Sequence, residues 1–259
     1  MFFPISDDDS TLVRPAWVTI FVLAANVALF LLQYLHPAFS YGFAAVPAEI
    51  TTGKDLVGTV TATLGGQEVA IRHAAGPVPI QLTVLSAMFM HGGWLHLGGN
   101  MLYLWIFGDN VEHRFGAVRF LIFYLVSGIA ATFAQIAVDP DSIIPTLGAS
   151  GAISGVLGAY MVLFPTNRVH CLLFFRMVSL PAVLVLGLWI LLQFANGGGQ
   201  IMASEQTGGV AYAAHIGGFF AGLIAGALSR LGMDHEPDTA FRRIAKRDDD
   251  LVSRYPRRR

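Results

Sequence analysis

Apolar residues run along this chain in long blocks, separated by short polar connections. Trp17 to Leu35 is the first block, with Trp17 placed as an interfacial anchor. His91 to Phe107 is the second, Phe120 to Val138 the third and Gly148 to Phe164 the fourth. A fifth lies within Cys171 to Phe194, where Pro181 predicts a kink, and Gly208 to Leu228 is the sixth. Blocks of this length match the hydrocarbon thickness of a bilayer. In lipid a helix satisfies its own backbone, so the pattern predicts an all-α polytopic membrane protein, a bundle of six transmembrane helices.

The polar connections organise the rest. Residues 1–16 read as a cytoplasmic N-terminal segment, 17–229 as the membrane domain and 230–259 as a basic cytoplasmic tail. Met1 to Arg14 lacks the basic start and small-residue cleavage site of a signal peptide, so the first span is expected to be retained. The longest connection, 36–79, is expected outside. Within it, β-branched residues at Val57–Leu64 and Gln67–Arg72 flank Gly65-Gly66, which predicts a small β-hairpin. Gly108–Arg119 reads as a charged loop, and Asn196–Thr207 as a polar, glycine-rich one.

Composition sharpens this. Hydrophobic residues make up 54% of the chain and charged residues 13%, against about 25% charged in soluble domains. The net charge of -1 hides an asymmetry. Arg14, Arg114, Arg119, Arg168, Arg176 and nine basic residues of the tail fall on one side, and only Lys54 and Arg72 on the other. The positive-inside rule therefore puts both termini in the cytoplasm, as for a bacterial inner membrane protein. Membrane lipid is an expected partner, with the tail able to lean on anionic headgroups, and nucleic acid is not. The lone Cys171 excludes an intramolecular disulfide framework. Neither C-x-x-C nor H-E-x-x-H occurs, and no metal or cofactor is expected.

The chemistry centres on Gly148-Ala149-Ser150-Gly151-Ala152-Ile153-Ser154-Gly155. These small residues either form a packing face or set a serine nucleophile where a substrate backbone can approach. A nucleophile needs a base, and the sixth block supplies His215. Gly218, Gly222 and Gly226 repeat every four residues on His215's face, and Gly151, Gly155 and Gly158 form a matching stripe. Two such stripes let helices meet at backbone distance. Phe219 is expected on a different face. His96 and Asn100 are four apart and share a helix face, and polar groups in lipid are costly unless functional. At 1.5 Å per residue all four lie roughly 5–15 Å below the outer surface. The Ser150 amide, the Asn100 side-chain NH2 and an N–H of His96 are candidate donors for an oxyanion. No acidic residue accompanies His215, so a dyad is expected. His91 is out of phase with His96 and reads as structural.

In these motifs the chain resembles the rhomboid family of intramembrane serine proteases. His91-Gly-Gly-Trp-Leu-His96-Leu-Gly-Gly-Asn100 is similar to its histidine–asparagine segment, Gly148-Ala149-Ser150-Gly151 to its G-x-S-G nucleophile, and Ala214-His215-Ile216-Gly217-Gly218 to its A-H-x-x-G base helix. The resemblance covers roughly Trp94 to Gly226. It implies a rhomboid-like bundle in which Ser150 is the nucleophile, His215 the base, and His96, Asn100 and Ser150 the oxyanion hole. It gives Gly148 the turn before the nucleophile, and Glu112-His113-Arg114 matches the family's structural E-x-R. Gly151, Gly218 and Gly222 are expected to support the site. Some family members carry an aromatic residue one turn after the serine, stacked on the histidine; that position is Ser154 here, which is free to hydrogen-bond near His215 instead. The implied substrates are transmembrane proteins, cut near the outer membrane boundary. Two other classes remain: a catalytically silent relative that binds and escorts membrane proteins, and a small transporter. Silent relatives lack the serine or histidine, and transporters favour internal repeats and buried charges that are absent here.

Overall fold

The computed structural model describes residues 2–8, 15–64, 67–203 and 211–232. The expected turn at Gly65-Gly66, residues 204–210, which include the end of the expected 196–207 loop, and the tail beyond 232 lie outside them.

The chain opens with strand β1, Phe2–Asp7, and enters helix α1, Trp17–Leu35. Thr19, Val22, Asn26, Phe30 and Gln33 of α1 are buried, at intervals of three and four. That spacing turns one stripe inward and leaves Phe21, Val27, Leu31 and Leu35 outward. Two short helices, α2 (Pro37–Phe43) and α3 (Pro47–Thr52), lead to strands β2 (Gly58–Leu64) and β3 (Gln67–His73). These two strands pair antiparallel, from Gly58 opposite His73 to Leu64 opposite Gln67. A short helical stretch over 80–89, with α4 (Thr83–Ser86) at its centre, precedes the long helices.

Those are α5 (Trp94–Phe115), α6 (Ala117–Val138), α7 (Ser150–Leu163), α8 (Ala182–Ala203) and α9 (Tyr212–Gly232), with strands β4 (Arg168–Leu173) and β5 (Arg176–Pro181) between α7 and α8. By length and composition α1, α6 and α9 are apolar enough to cross a membrane, whereas Ser150–Leu163 and Ala182–Gly198 are shorter apolar helices. Tyr124, Tyr160, Phe107 and Phe120 are among the largest fully buried side chains, and they knit α5, α6 and α7 together.

Four sequence expectations change. The charged loop 108–119 is helical: α5 runs to Phe115, and only Gly116, at φ +80°, separates it from α6. The glycine-rich loop is helical in its first part, since α8 continues to Ala203. The fifth block does not begin as helix: Cys171 lies in β4, and Pro181 ends β5 immediately before α8 instead of kinking it. The N-terminal segment contributes a strand. β1 pairs with β4 from Phe2 opposite Leu173 to Asp7 opposite Val169, making a three-stranded sheet in the order β1-β4-β5. Pro4 is tolerated because β1 is an edge strand, with a bulge beside the proline. Asp7 anchors the strand by accepting hydrogen bonds from the Tyr160 hydroxyl and from Asn110 Nδ2, the latter at 2.9 Å.

Glu112 does the same for α1. Its carboxylate accepts from the Val18 amide (3.0 Å), the Thr19 amide (2.7 Å) and the Thr19 hydroxyl (2.8 Å). The N-cap residue, Ala16, has no side chain able to bond these orphan amides, so a carboxylate from α5 takes that place at the positive end of the helix. Arg114, two residues on, is half-buried.

Candidate active site

Helices α7 and α9 meet at backbone distance. A Cβ on Gly218 would lie 2.0 Å from the Gly151 carbonyl oxygen, and one on Gly222 would lie 1.9 Å from that of Gly155. On α7, a Cβ on Gly158 would lie 2.1 Å from the Phe219 carbonyl oxygen. Any side chain here would separate the two helices, which is why the stripes are glycine. Helix α6 closes the third side: a Cβ on Gly151 would come within 2.6 Å of Ala131 Cβ. Phe219 turns its ring to the neighbouring face, towards α8, and is buried there. It is 1% exposed, its carbonyl abuts Gly158, and its ring lies 6.0 Å from that of Trp189.

This approach brings Ser150 to His215. Ser150 is the first residue of α7, and its Oγ lies 2.8 Å from His215 Nε2. The loop before it is braced by earlier parts of the chain. Gly148 N–H donates to the Ala87 carbonyl at 2.9 Å, and Thr146 and Ala45 exchange backbone bonds of 2.8 and 2.9 Å. The 36–79 connection therefore supports the nucleophile turn. Gly148 sits at φ +139°, a conformation that other residues rarely adopt. A Cβ there would lie 2.9 Å from His96 Cε1, 3.0 Å from His96 Nε2 and 3.5 Å from Ser150 Oγ. The His96 ring edge and the serine hydroxyl thus share one small space above Gly148.

The tautomer of His96 follows from its partner. The Gly92 backbone N–H lies 3.2 Å from His96 Nδ1, and an amide can only donate. Nδ1 is then the acceptor, and the proton of the neutral ring sits on Nε2, beside Ser150. Asn100 lies one turn further along α5. It is buried, and its Nδ2 has no partner among the described residues. An unpaired buried donor costs stability, so it marks a place where an acceptor is wanted. The first amides of α7, starting with Ser150, have no intrahelical partner either. His91 is buried and packs edge-on against His96, with centroids 5.2 Å apart, while its backbone is held by Gln33.

Three neighbours of His215 lie outside the sequence motifs: Tyr212 of α9, edge-on at 6.4 Å, and two residues of α8. Gln193 Oε1 lies 2.8 Å from His215 Nδ1, and the Trp189 ring lies 5.9 Å from the imidazole, tilted by 37°. The one available signal was their spacing of four, which puts both on one face of α8. Ser154 does not reach towards His215. Its hydroxyl donates to the Ser150 carbonyl at 2.6 Å, a bond back along its own helix.

Among the described residues no cluster of His, Cys, Asp and Glu could hold a metal ion. A cavity of about 40 Å³ adjoins Ser150, with Ala131, Thr132, Gln135, Gly148 and Gly151 in its lining.

Comparison with known proteins gives the same direction. The family model described as the Rhomboid domain matches residues 81–231, more than half of the chain. The chain is 31% identical over 157 residues to the mitochondrial rhomboid protein 1 of Saccharomyces cerevisiae, covering 58% of this chain and 42% of that protein. It is 36% identical over 143 residues to the rhomboid protease GluP of Bacillus subtilis, covering 55% of this chain and 26% of GluP. With RHOMBOID-like protein 5 of Arabidopsis thaliana the identity is 31% over 144 residues, or 55% of this chain and 42% of the relative. The chain thus spans less than half the length of these curated relatives.

Proposed function

Since the chain belongs to the rhomboid family of membrane proteins, we propose that it is an intramembrane serine endopeptidase acting on transmembrane segments of other proteins. The 2.8 Å contact between Ser150 Oγ and His215 Nε2 carries this reading. In it, His215 takes the hydroxyl proton as Ser150 attacks a substrate carbonyl. The developing oxyanion is met by His96 Nε2–H, by Asn100 Nδ2 and by the Ser150 amide. His215 then protonates the leaving amine, and water releases the acyl group from Ser150 by the same steps in reverse roles. The cavity beside Ser150 has room for that water, which needs roughly 10–15 Å³ and polar partners such as Thr132 and Gln135. Gly148, Gly151, Gly218 and Gly222 hold the backbones in place, while Glu112 and Arg114 serve the fold.

The same proposal carries six spans over 17–229, both termini in the cytoplasm of a bacterial cell, 36–79 outside, and cleavage near the outer boundary. Charge placement supports it. An impermeant thiol reagent on intact cells should label a cysteine at Ser142 and miss one at Asp249. Native Cys171 is buried and adds little background. The deciding experiment for function uses the purified chain with a model transmembrane substrate. Ser150→Ala and His215→Ala should abolish cleavage without unfolding, and chelators should have no effect. Cleavage that survives Ser150→Ala sinks the serine mechanism.

A further inference from the structure

On the reading above, His215 can accept the Ser150 proton only if its Nε2 carries a lone pair, which puts its own proton on Nδ1. A neutral imidazole has both tautomers available, and the partner of the other nitrogen selects between them. Gln193 is that partner. Its Oε1 lies 2.8 Å from His215 Nδ1, while its Nε2 donates to the Trp189 carbonyl, one turn back on α8, at 3.4 Å. This second bond orients the amide: with the NH2 committed to a carbonyl, the atom facing His215 is the oxygen, which only accepts. The donors then run in one direction, from Ser150 Oγ–H to His215 Nε2 and from His215 Nδ1–H to Gln193 Oε1. A reversed amide would present N–H to Nδ1, move the ring proton to Nε2 and leave Ser150 without a base.

We propose that Gln193 is a positioning residue for the Ser150–His215 pair, holding the imidazole in the tautomer and orientation that let it act as the base. The proposal rests on the serine protease reading. It assigns to a neutral amide the orienting role that a buried carboxylate has in Ser-His-Asp triads. Trp189, four residues earlier on α8, lies against the same ring, so α8 holds His215 by both a bond and a surface.

The test uses the full chain in detergent with a transmembrane substrate, comparing Gln193→Leu, Gln193→Glu and Leu191→Ala. Gln193→Leu should lower kcat roughly 10- to 100-fold with KM nearly unchanged. Gln193→Glu keeps the acceptor oxygen and should restore much of the loss. Leu191 is 65% exposed, and its replacement should have no effect. A filler role would reverse the order, with leucine tolerated in the apolar bundle and glutamate not. A second measurement needs no activity. Nitrogen-15 spectra of histidine-labelled protein should show the His215 proton on Nδ1 in the native chain, and a mixed or reversed tautomer in Gln193→Leu. A native Nε2–H tautomer, or native kcat in Gln193→Leu, overturns the proposal. Full turnover in Gln193→Leu beside none in Ser150→Ala rejects Gln193 alone. Cleavage that survives Ser150→Ala rejects the protease reading and leaves the tautomer to decide Gln193.

Discussion

The indole of Trp189 lies over the imidazole of His215, ring centroids 5.9 Å apart and planes 37° apart. The residue one turn after the nucleophile, Ser154, is turned into its own helix, and the rings against His215 come from Trp189 of α8 and, edge-on at 6.4 Å, from Tyr212 of α9. Trp189 also contacts Phe219, which extends the surface along α9. Trp189→Ala should lower turnover by releasing His215, whereas Trp189→Phe should keep most of it. Equal activity in the two variants, measured as cleavage per folded protein, would reject a positioning role for the ring.

Asn100 gives a test that separates chemistry from packing. Its Nδ2 has no hydrogen-bond partner among the described residues, so removing that donor breaks no hydrogen bond among them. Losing one oxyanion donor typically costs about 10²–10³ in rate. Asn100→Ala should therefore lower kcat by that order while the thermal midpoint holds or rises. A fall in stability with kcat intact would make Asn100 a structural residue.

The seam between α7 and α9 admits no side chain. A methyl on Gly218 would meet the Gly151 carbonyl at 2.0 Å, next to the nucleophile. Overpacking typically costs about 1–3 kcal/mol, and displacement by roughly 1 Å can cost about 10²-fold in rate. Gly218→Ala and Gly222→Ala should already lose activity, and the leucine variants should also lose thermal stability. Near-native turnover in Gly218→Leu would mean that the contact does not position Ser150.

A pH response is built into the connection between α1 and α5. His73 and Glu49 are both buried, with Nδ1 3.9 Å from Oε1, and the Leu56 amide donates to Glu49 at 2.9 Å. Burial lowers the His73 pKa, against the opposing charge of Asp55, and burial raises that of Glu49. For His73 the unfolded chain takes up a proton first, so its contribution is complete above the ordinary value of 6.5 and is lost as pH falls below it. For Glu49 the sign is opposite: the folded chain holds the proton longer, and stability falls as pH rises from 4.5 through the raised value. Thermal melts across this range should show an acid-side loss that His73→Leu removes. The same melts of Glu49→Gln should lack the decline that begins at 4.5. An unchanged acid limb in His73→Leu would place the titrating group elsewhere.

Much of this protein is legible in one dimension, because its solvent is lipid. Apolar blocks mark helices wherever the backbone must bond to itself. Polar and small residues are conspicuous there, so Ser150, His215, His96, Asn100 and the stripe at Gly218 and Gly222 stand out without a structure. What the sequence left open depends on which faces meet. Gln193 and His215 are 22 residues apart, Thr19 and Glu112 are 93, and Asp7 and Tyr160 are 153. A glutamine in an apolar run, or a carboxylate in a charged stretch, carries no mark of its partner until packing brings the two together. Helix ends were misplaced for a related reason. Where Gly116 turns the chain, or Cys171 joins a sheet, tertiary partners outweigh local composition. The backbone then pairs wherever the folded neighbours offer bonds.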